Sequence, residues 1–176
     1  MVLRNDKVKL IKASKDNVDI LIEWTLDPIA QGPYKLVPDM TKDQLKEMFL
    51  NNPMREYYLI TDIDNEPLGR FYHRKWFFNK EEKIVDWELN IIIAEPSKRG
   101  KGYGTSVQSL AVDLIRKQKN TNSIFAYTRV DNIGEQKVLE KCGFKFLGDM
   151  RNSYYKIDLG DLDPKDFVLY AIEPSY

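Results

Sequence analysis

Residues 97–105, which read SKRGKGYGT, constrain the fold of this chain more than any other passage. They contain three glycines at alternate positions and three basic residues. The apolar run Ile91–Ile93 lies just before them and predicts the end of a central strand that is covered on both sides. Apolar residues at helical spacing follow and predict an amphipathic helix from roughly Gly102 to Lys119. The passage therefore predicts a strand, a glycine turn and a helix in immediate succession.

The glycine turn has the features of an anion site. Glycine lacks a Cβ atom, so successive N–H groups can point inward at a helix N-terminus, where the helix dipole favours negative charge. Lys98, Arg99 and Lys101 add positive charge there, and residues 95–120 contain six Lys or Arg against two Asp or Glu. We therefore expect a phosphate-bearing ligand at this turn, in preference to a solvated turn that binds nothing.

Two common phosphate loops do not match the sequence. A Walker A loop ends in Gly-Lys-Ser/Thr after a four-residue gap, and the chain contains no such run. A dinucleotide fingerprint needs a third glycine where Val107 stands, so Gly102 and Gly104 meet only its first half. The sequence thus favours neither a nucleoside triphosphatase nor a dinucleotide-binding site.

Composition narrows the classes of protein further. Among 176 residues, 27 Lys or Arg balance 27 Asp or Glu, so no overall field favours nucleic acid or an anionic membrane as a partner. The single cysteine, Cys142, excludes an internal disulfide, and the single histidine, His73, has no sequence partner for a metal site. No apolar run approaches the ~20 residues that span a bilayer. We expect one cytoplasmic domain over residues 1–176, with no metal.

The remaining pattern predicts a mixed α/β domain. Strands are predicted at 7–13, at three positions of an antiparallel meander within 55–93, and at 123–128, 145–157 and 167–172. Helices are predicted from about Asp16 to the Asp27-Pro28 pair, after a capping box of Thr41 and Gln44, and from Ile133 to Lys141 with Gly143 as the cap. An irregular loop is predicted over 28–40. The glycine turn and its helix then form one strand–helix–strand unit in an otherwise antiparallel sheet.

Two motifs at a characteristic separation resemble a known family. The run Arg99-Gly100-Lys101-Gly102-Tyr103-Gly104 resembles the acetyl-coenzyme A pyrophosphate loop (Arg/Gln-x-x-Gly-x-Gly/Ala) of the GCN5-related N-acetyltransferases (GNAT). Asp131-Asn132, followed by residues 138–144 (VLEKCGF), resembles the later motif of that family, an asparagine and a helix ending in Glu-Lys-x-Gly-Phe. The resemblance covers nearly the whole chain. Residues 88–93 (ELNIII) and Leu139 are most similar to the branch of ribosomal-protein N-terminal acetyltransferases and their relatives, including spermidine and aminoglycoside acetyltransferases.

The resemblance implies both a fold and an activity. The fold is a mostly antiparallel sheet of about seven strands with about four helices and a splayed pair of parallel central strands. The activity is transfer of an acetyl group from acetyl-coenzyme A to a primary amine, by direct attack in a ternary complex. The acceptor would be a protein N-terminus or a small amine such as a polyamine or an aminoglycoside. The alternative is a non-catalytic acyl-coenzyme A sensor or scaffold; the oligomeric state, including a homodimer, stays open.

The chemistry of acetyl transfer indicates which residues act. An amine must lose a proton before it attacks, and Glu88, which matches a glutamate common in the branch, is the predicted base. Alternation places Asp86 and Asn90 on the same face, so two carboxylates could meet a cationic acceptor; solvent-facing positions of a half-exposed strand are the alternative. The resemblance implies that a backbone N–H around Ile91–Ile93 stabilises the developing negative charge. It also implies cofactor contacts from Ile91, Ile92, Ile93, Lys98, Arg99, Gly100, Lys101, Gly102, Tyr103, Gly104, Thr105 and Asn132.

The sequence departs from the family pattern at two positions. Leu139 stands where many relatives have a tyrosine that protonates the leaving thiolate, and Tyr127, Tyr154 and Tyr155 remain as possible substitutes. Glu135 stands where alanine or serine is usual, and a carboxylate near the cofactor phosphates would be unfavourable unless it faced away. We interpret Cys142 as a small packed side chain and assign no role to His73.

The resemblance also implies that the acceptor groove lies between residues 27–40 and 149–166. Residues 147–176 contain six Asp or Glu against three Lys or Arg, which favours a cationic acceptor. Three aromatic residues, Tyr34, Trp76 and Phe78, could line this groove. The alternative is that the acidic segment is a solvated hairpin and that the aromatic residues are ordinary packing residues.

Overall fold

The computed structural model describes residues 2–35, 37–150, 163 and 166–173. These residues form one eight-stranded sheet in the order β1-β2-β3-β4-β5-β6-β8-β7. Neighbouring strands are antiparallel except for the parallel pair β5–β6. The strands are β1 Val2–Arg4, β2 Val8–Lys12, β3 Arg55–Asp62, β4 Pro67–Asn79, β5 Ile84–Ile93, β6 Thr121–Arg129, β7 Lys145–Asp149 and β8 Phe167–Ile172.

Helices cover both faces of the sheet. The α-helices are α1 Val18–Leu26, α2 Pro28–Gln31, α3 Lys42–Asn51, α4 Tyr103–Arg116 and α5 Ile133–Lys141, and a 3-10 turn spans Pro96–Lys98. Residues of α4 and α5 pack with β2 to β6 in the larger apolar core, and residues of α1 and α3 pack with β3 in a second core. No helix of the described residues is long and apolar enough to cross a membrane.

Local signals in the sequence account for most element boundaries. The capping box is confirmed, because Thr41 Oγ1 accepts the Gln44 N–H at 3.2 Å and Gln44 Oε1 accepts the Thr41 N–H at 2.8 Å. The structure adds the short strand β1 and the four-residue helix α2 to the predicted elements. The expectation of an irregular loop over 28–40 was therefore wrong in its first four residues. The reason is that Asp27 caps the Ile29 N–H while Pro28 occupies the first helical position.

The two parallel strands separate halfway along their length, which confirms the predicted splay. Within the described chain, β5 pairs with β6 only from Val85 to Glu88, although β5 continues to Ile93. Beyond Glu88, β5 stays paired with β4 and β6 stays paired with β8. A cleft therefore opens between β5 and β6 at the end where the glycine turn begins.

The end of β5 is less covered than its apolar sequence predicts. Ile92 is buried, at 8% exposure, but Ile91 and Ile93 are only partly buried because the cleft opens on them. The expectation that this run is covered on both sides was wrong for those two residues.

Candidate active site

The glycine turn forms an open cradle at the start of α4. Gly100 and Gly102 have φ values of 73° and 81°, in the left-handed region that favours glycine, and Gly102 is the N-cap of α4. A Cβ atom at Gly100 or Gly104 would meet nothing within 4 Å. The first N–H groups of a helix have no intrahelical partner. The turn therefore leaves space for a diphosphate to approach the N–H groups of α4, and these residues fit the pyrophosphate of coenzyme A.

A cavity of about 410 Å³ runs from this turn to the open end of β5. Most of the predicted cofactor contacts line it: Ile91, Ile92, Ile93, Lys98, Arg99, Gly100, Gly102, Gly104, Thr105 and Asn132. Lys101 and Tyr103 do not line it. The cavity also includes Gln31, Gly32, Lys35, Glu135 and Lys141, which the sequence analysis did not assign to the cofactor. Lys35 lies in an irregular loop and had no sequence signal.

The three basic residues of the turn point in different directions. Lys98 Nζ lies 3.9 Å from Asp62 Oδ2 and its side chain remains partly exposed. Lys101 is exposed, and its backbone carbonyl accepts a 2.7 Å hydrogen bond from Lys7 Nζ. The side chain of Lys101 therefore stands outside the cavity.

The side chain of Arg99 donates hydrogen bonds to backbone carbonyls. Its Nε donates to Ile93 O at 2.9 Å, and its Nη2 donates at 2.9–3.2 Å to three further carbonyls, those of Ile29, Ala30 and Ala94. At Gly32, where φ is 72°, a Cβ atom would lie 3.4 Å from the Arg99 guanidinium. Arg99 therefore connects the end of β5 to α2 and to the loop that carries Lys35.

The edge of β5 presents backbone polar groups to the cleft. Ala94 N–H donates to Leu68 O at 2.8 Å, which is on the β4 side. Because successive residues of a strand direct their backbone groups to opposite sides, the N–H groups of Ile93 and Ile91 point toward β6. A second cavity of about 60 Å³ lies between the separated strands, lined by Leu89, Asn90 and Ile91 on one side and by residues 126–129 on the other.

Glu88 lies beneath this region and is fully buried, at 0% exposure. Its Oε1 accepts from the Tyr72 hydroxyl at 2.9 Å, and its Oε2 accepts from Arg74 Nε at 2.6 Å and pairs with Arg74 Nη2. Neither Glu88 nor its hydrogen-bond partner Tyr72 lines either of these two cavities. Burial, and next the charge of Glu88, hold the pKa of Tyr72 well above its ordinary value.

Asp86, which the sequence places on the same strand face as Glu88, does not take the position that we expected for it. Asp86 is buried, and its Oδ1 accepts from Asn122 Nδ2 at 2.9 Å and from the Ser123 N–H at 3.2 Å. Asp86 thus fastens β5 to β6 and is not directed with Glu88 at an incoming cation. Both carboxylates are buried, so the solvent-facing alternative was also wrong.

The start of α5 places an asparagine and a carboxylate in the cavity. Asn132 caps the helix, since its Oδ1 accepts the Glu135 N–H at 3.3 Å and its Nδ2 donates to Thr128 Oγ1 at 3.0 Å. Glu135 lines both cavities and does not face away. Burial raises the pKa of Glu135 to about 7, and Lys35 partly opposes this increase. Burial, and next Arg70, lower the pKa of Lys35 to about 8.

Of the three tyrosines proposed as the acid, Tyr127 lines the smaller cavity. Burial, and next the charge of Glu88, raise its pKa to about 12, so its hydroxyl is neutral. Tyr154 and Tyr155 lie outside the described residues. Leu139 is fully buried in the larger core.

The remaining candidates have structural roles. His73 is buried against Tyr58, Phe71 and Trp87 and lines neither of the two cavities described above. Cys142 packs against the larger core, and burial raises the pKa of its thiol. No group of three or more His, Cys, Asp or Glu side chains within the described part of the chain could hold a metal ion.

The predicted acceptor groove is only partly visible. Of its three aromatic residues, Tyr34 lines both cavities, Trp76 packs edge-on against Phe125 with ring centres 4.8 Å apart, and Phe78 is exposed. They do not form one wall. Most of the acidic segment, residues 151–162 and 164–165, lies outside the described residues.

Comparison with known proteins identifies the class. A model of the acetyltransferase (GNAT) domain matches residues 7–145. The chain therefore belongs to the GNAT acetyltransferase family, and it is an acetyl-coenzyme A-dependent acetyltransferase. The family predicted from the two sequence motifs is confirmed.

Solved structures show the same fold over nearly the whole chain. A GNAT-family acetyltransferase from Bacillus anthracis has a TM-score of 0.74 and 19% identity, over 98% of each chain. Spermidine N-acetyltransferase from Vibrio cholerae, solved with CoA and spermine, has a TM-score of 0.74 and 18% identity, over 96% of each chain. RimL, a ribosomal alpha-N-protein acetyltransferase solved with coenzyme A, has a TM-score of 0.73 and 17% identity, over 98% of each chain.

Proposed function

We propose that residues 1–176 form one N-acetyltransferase domain that transfers acetyl from acetyl-coenzyme A directly to a primary amine in a ternary complex. The observation that carries this proposal is the edge of β5 beyond Glu88, which pairs with no strand on the β6 side among the described residues and leads from the glycine cradle into the gap between β5 and β6. A thioester arm can lie along this edge while an amine approaches from the side of the 32–40 loop.

We expect the chain's own residues to position the cosubstrate, which supplies the activated acetyl group. N–H groups at the start of α4 and the ammonium of Lys98 are expected to bind the pyrophosphate, and Lys141 adds a further positive charge at the cavity wall. The free backbone groups of β5 are expected to bind the pantetheine arm. The Ile91 N–H points into the gap and is expected to stabilise the negative charge that develops on the carbonyl oxygen.

Two protons must move during the reaction. We propose that Glu88 accepts the amine proton through Tyr72, which passes its own hydroxyl proton to Oε1 over the 2.9 Å hydrogen bond. We propose that Tyr127 donates to the departing sulfur, because it lines the gap and its pKa of about 12 keeps it protonated. A thiol has an ordinary pKa of ~8.5 and leaves readily, so Tyr127 is expected to contribute less than Glu88.

Thiol release from acetyl-coenzyme A over a panel of peptides, polyamines and aminoglycosides tests this function. We expect Glu88→Gln and Tyr72→Phe each to lower kcat/KM roughly 10²-fold, mostly below the pH optimum, with unchanged coenzyme A affinity. Tyr72→Phe is informative because it leaves the Glu88–Arg74 pair in place. Glu66→Gln, in an exposed turn, is the matched control. Wild-type kinetics in both variants would remove Glu88 and Tyr72 from the mechanism.

The same panel tests the alternative function. A sensor or scaffold domain would bind acetyl-coenzyme A tightly and release no thiol above hydrolysis with any acceptor. The replacement of tyrosine by Leu139 favours this alternative, whereas Tyr127 in the gap and the Glu88–Tyr72 contact favour the enzyme.

A further inference from the structure

The side-chain amine of Lys35 lies at the gap between β5 and β6. Its Nζ is 6.0 Å from the centre of the Tyr127 ring, and both residues line the smaller cavity. The last pairing between the two strands joins Glu88 to Phe125. Tyr127 lies two residues further along β6, past the point where the strands separate, and on the same face as Phe125. The amine of Lys35 is therefore placed where the gap opens.

Lys35 also shares the walls of both cavities with Ile91. The larger cavity extends from the glycine turn, and the smaller one has a volume of only about 60 Å³. A group bound in so small a space lies close to each residue of its wall. Under the proposed function, the thioester arm lies along β5 and its carbonyl oxygen meets the Ile91 N–H. The thioester carbon would then lie within reach of Lys35.

The amine of Lys35 is available as a nucleophile. No carboxylate of the described chain lies within 4 Å of its Nζ. Burial, and next Arg70 on β4, lower its pKa to about 8, while Glu88 on β5 and Glu135 on α5 partly oppose this decrease. At pH 8 roughly half of the Lys35 side chains are then neutral, whereas an ordinary lysine is almost entirely protonated. Only the neutral amine can attack a thioester.

A proton acceptor lies beside this amine. Glu135 lines both cavities, and it is the only carboxylate among the described residues in the wall of either one. Its charge acts on Lys35 and that of Lys35 acts on it, so the two groups are close in space. Glu135 can therefore hold a proton that Lys35 loses.

Resting on the proposed function for the cosubstrate site, we propose that Lys35 is itself an acetyl acceptor, acetylated by the acetyl-coenzyme A bound to the same chain when no external amine fills the gap. Nζ attacks the thioester carbon, the Nζ–C bond forms, and the C–S bond breaks with its electron pair on sulfur. Nζ loses one proton to Glu135 and the thiolate takes up one proton, so coenzyme A leaves as the thiol. Acetyl-lysine is neutral and occupies part of the gap, so the modified chain turns over external amines more slowly.

Mass spectrometry of the full chain, incubated with acetyl-coenzyme A alone, tests the inference. We expect a mass gain of one acetyl group per chain, and peptide mapping should place it on Lys35. Lys35 should react roughly 10-fold or more faster than the exposed Lys46 and Lys101, because only Lys35 lies beside the bound thioester. The rate constant should not change with protein concentration, since the transfer occurs within one chain. Unfolding the chain in urea should remove the preference for Lys35.

Thiol release without any acceptor gives a second measurement. It should reach one equivalent per chain and then stop, whereas hydrolysis would continue. Lys35→Arg keeps a positive charge at the gap but has no reactive amine, so it should lose both the thiol equivalent and the mass gain. Lys46→Arg, the same substitution on the exposed face of α3, should keep both.

Two further comparisons test the proton acceptor and the consequence of the modification. Glu135→Gln should acetylate Lys35 roughly 10-fold more slowly at saturating acetyl-coenzyme A, because the proton acceptor is absent. Wild-type chain acetylated beforehand should have a kcat/KM for external amines lowered roughly 5-fold or more, and the same treatment should not change Lys35→Arg. An unchanged rate in Glu135→Gln would overturn the role of Glu135, and unchanged kcat/KM in the acetylated wild type would overturn the slower turnover.

The outcomes separate this inference from the proposed function. Turnover of external amines with no acetyl group on Lys35 would overturn the inference and keep the acetyltransferase. Rapid acetylation of Lys35 with no turnover of any amine in the panel would support the inference and overturn transfer to an external acceptor. Equal labelling of Lys35, Lys46 and Lys101 would indicate non-specific reaction with acetyl-coenzyme A and would overturn the inference.

Discussion

At the scale of single residues, Arg99 shows how a motif position can have a role that its sequence does not reveal. The motif predicts a phosphate contact, yet the guanidinium donates to four backbone carbonyls and joins β5 to α2. A single ammonium group cannot reproduce the fork geometry of a guanidinium. Arg99 is therefore better interpreted as a positioning residue for the loop that carries Lys35.

This interpretation predicts that Arg99→Lys resembles Arg99→Ala. Both should lower the free energy of unfolding by about 1–3 kcal/mol, because both leave carbonyls without their donor. Both should raise the KM for the amine more than the dissociation constant of coenzyme A. Urea unfolding and steady-state kinetics measure the two effects, with the exposed Lys101→Ala as the stability control. If Arg99→Lys kept wild-type stability and coenzyme A affinity, the phosphate contact would be the better assignment.

The raised pKa of Glu135 predicts how the stability of the protein depends on pH. Its pKa rises from the ordinary 4.5 to about 7 in the folded protein, mainly through burial. A raised carboxyl pKa contributes stability that is present below pH 4.5 and is lost as the pH rises toward 7. Glu135→Gln lacks this titration, so the variant should gain about 1–3 kcal/mol relative to wild type between pH 4.5 and 8.

Chemical unfolding at several pH values measures this difference. Glu82→Gln, in the exposed turn between β4 and β5, provides the matched control and should show no such gain. A constant difference between Glu135→Gln and wild type across this range would contradict the raised pKa.

At the scale of elements, the cleft depends on how closely β4 and β5 approach. Gly69 on β4 pairs with Ile93, and a Cβ atom at Gly69 would lie 1.9 Å from the carbonyl oxygen of Ile92. No side chain fits there unless the backbone of β5 shifts. The glycine therefore fixes the position of the strand edge that faces the cleft.

Gly69→Ala is expected to destabilise the fold by about 1–3 kcal/mol or more, because the obstructing atom belongs to the backbone. Gly104→Ala makes the same substitution in the first turn of α4, where a Cβ atom meets nothing within 4 Å. It should be neutral or stabilise by up to about 1 kcal/mol, since alanine favours a helix. Thermal and urea unfolding compare the two, and equal effects would argue against the close approach at Gly69.

At the scale of the whole molecule, the net charge is zero but the charged residues are distributed unevenly along the chain. The glycine turn is basic, and of the six Asp or Glu in residues 147–176 the structure describes Asp149, Asp163, Asp166 and Glu173. The sequence-based expectation of a cationic acceptor rests on that acidic segment.

Because the cavity is lined by residues of α4, α5, β5, the end of α2 and the following loop 32–35, its ligand should stabilise the whole domain. Acetyl-coenzyme A at 100 times its dissociation constant should add about 2.7 kcal/mol and raise the Tm by roughly 5–10 °C. Acetyl-pantetheine at the same concentration should raise the Tm much less, because it lacks the pyrophosphate that binds the glycine turn. Differential scanning fluorimetry measures both Tm shifts. Equal Tm shifts with the two ligands would contradict the assignment of the glycine turn to the cofactor site.

The sequence by itself determined the strand, glycine turn and helix, the Thr41 capping box and the two family motifs. These features depend on residues that are close along the chain, where periodicity, capping and glycine conformation act locally. Only the tertiary structure decided that Arg99 binds backbone, that Glu88 is enclosed by Tyr72 and Arg74, and that Lys35 enters the cavity. Each of these contacts joins distant segments, and the direction of a side chain between segments depends on packing that no local pattern encodes.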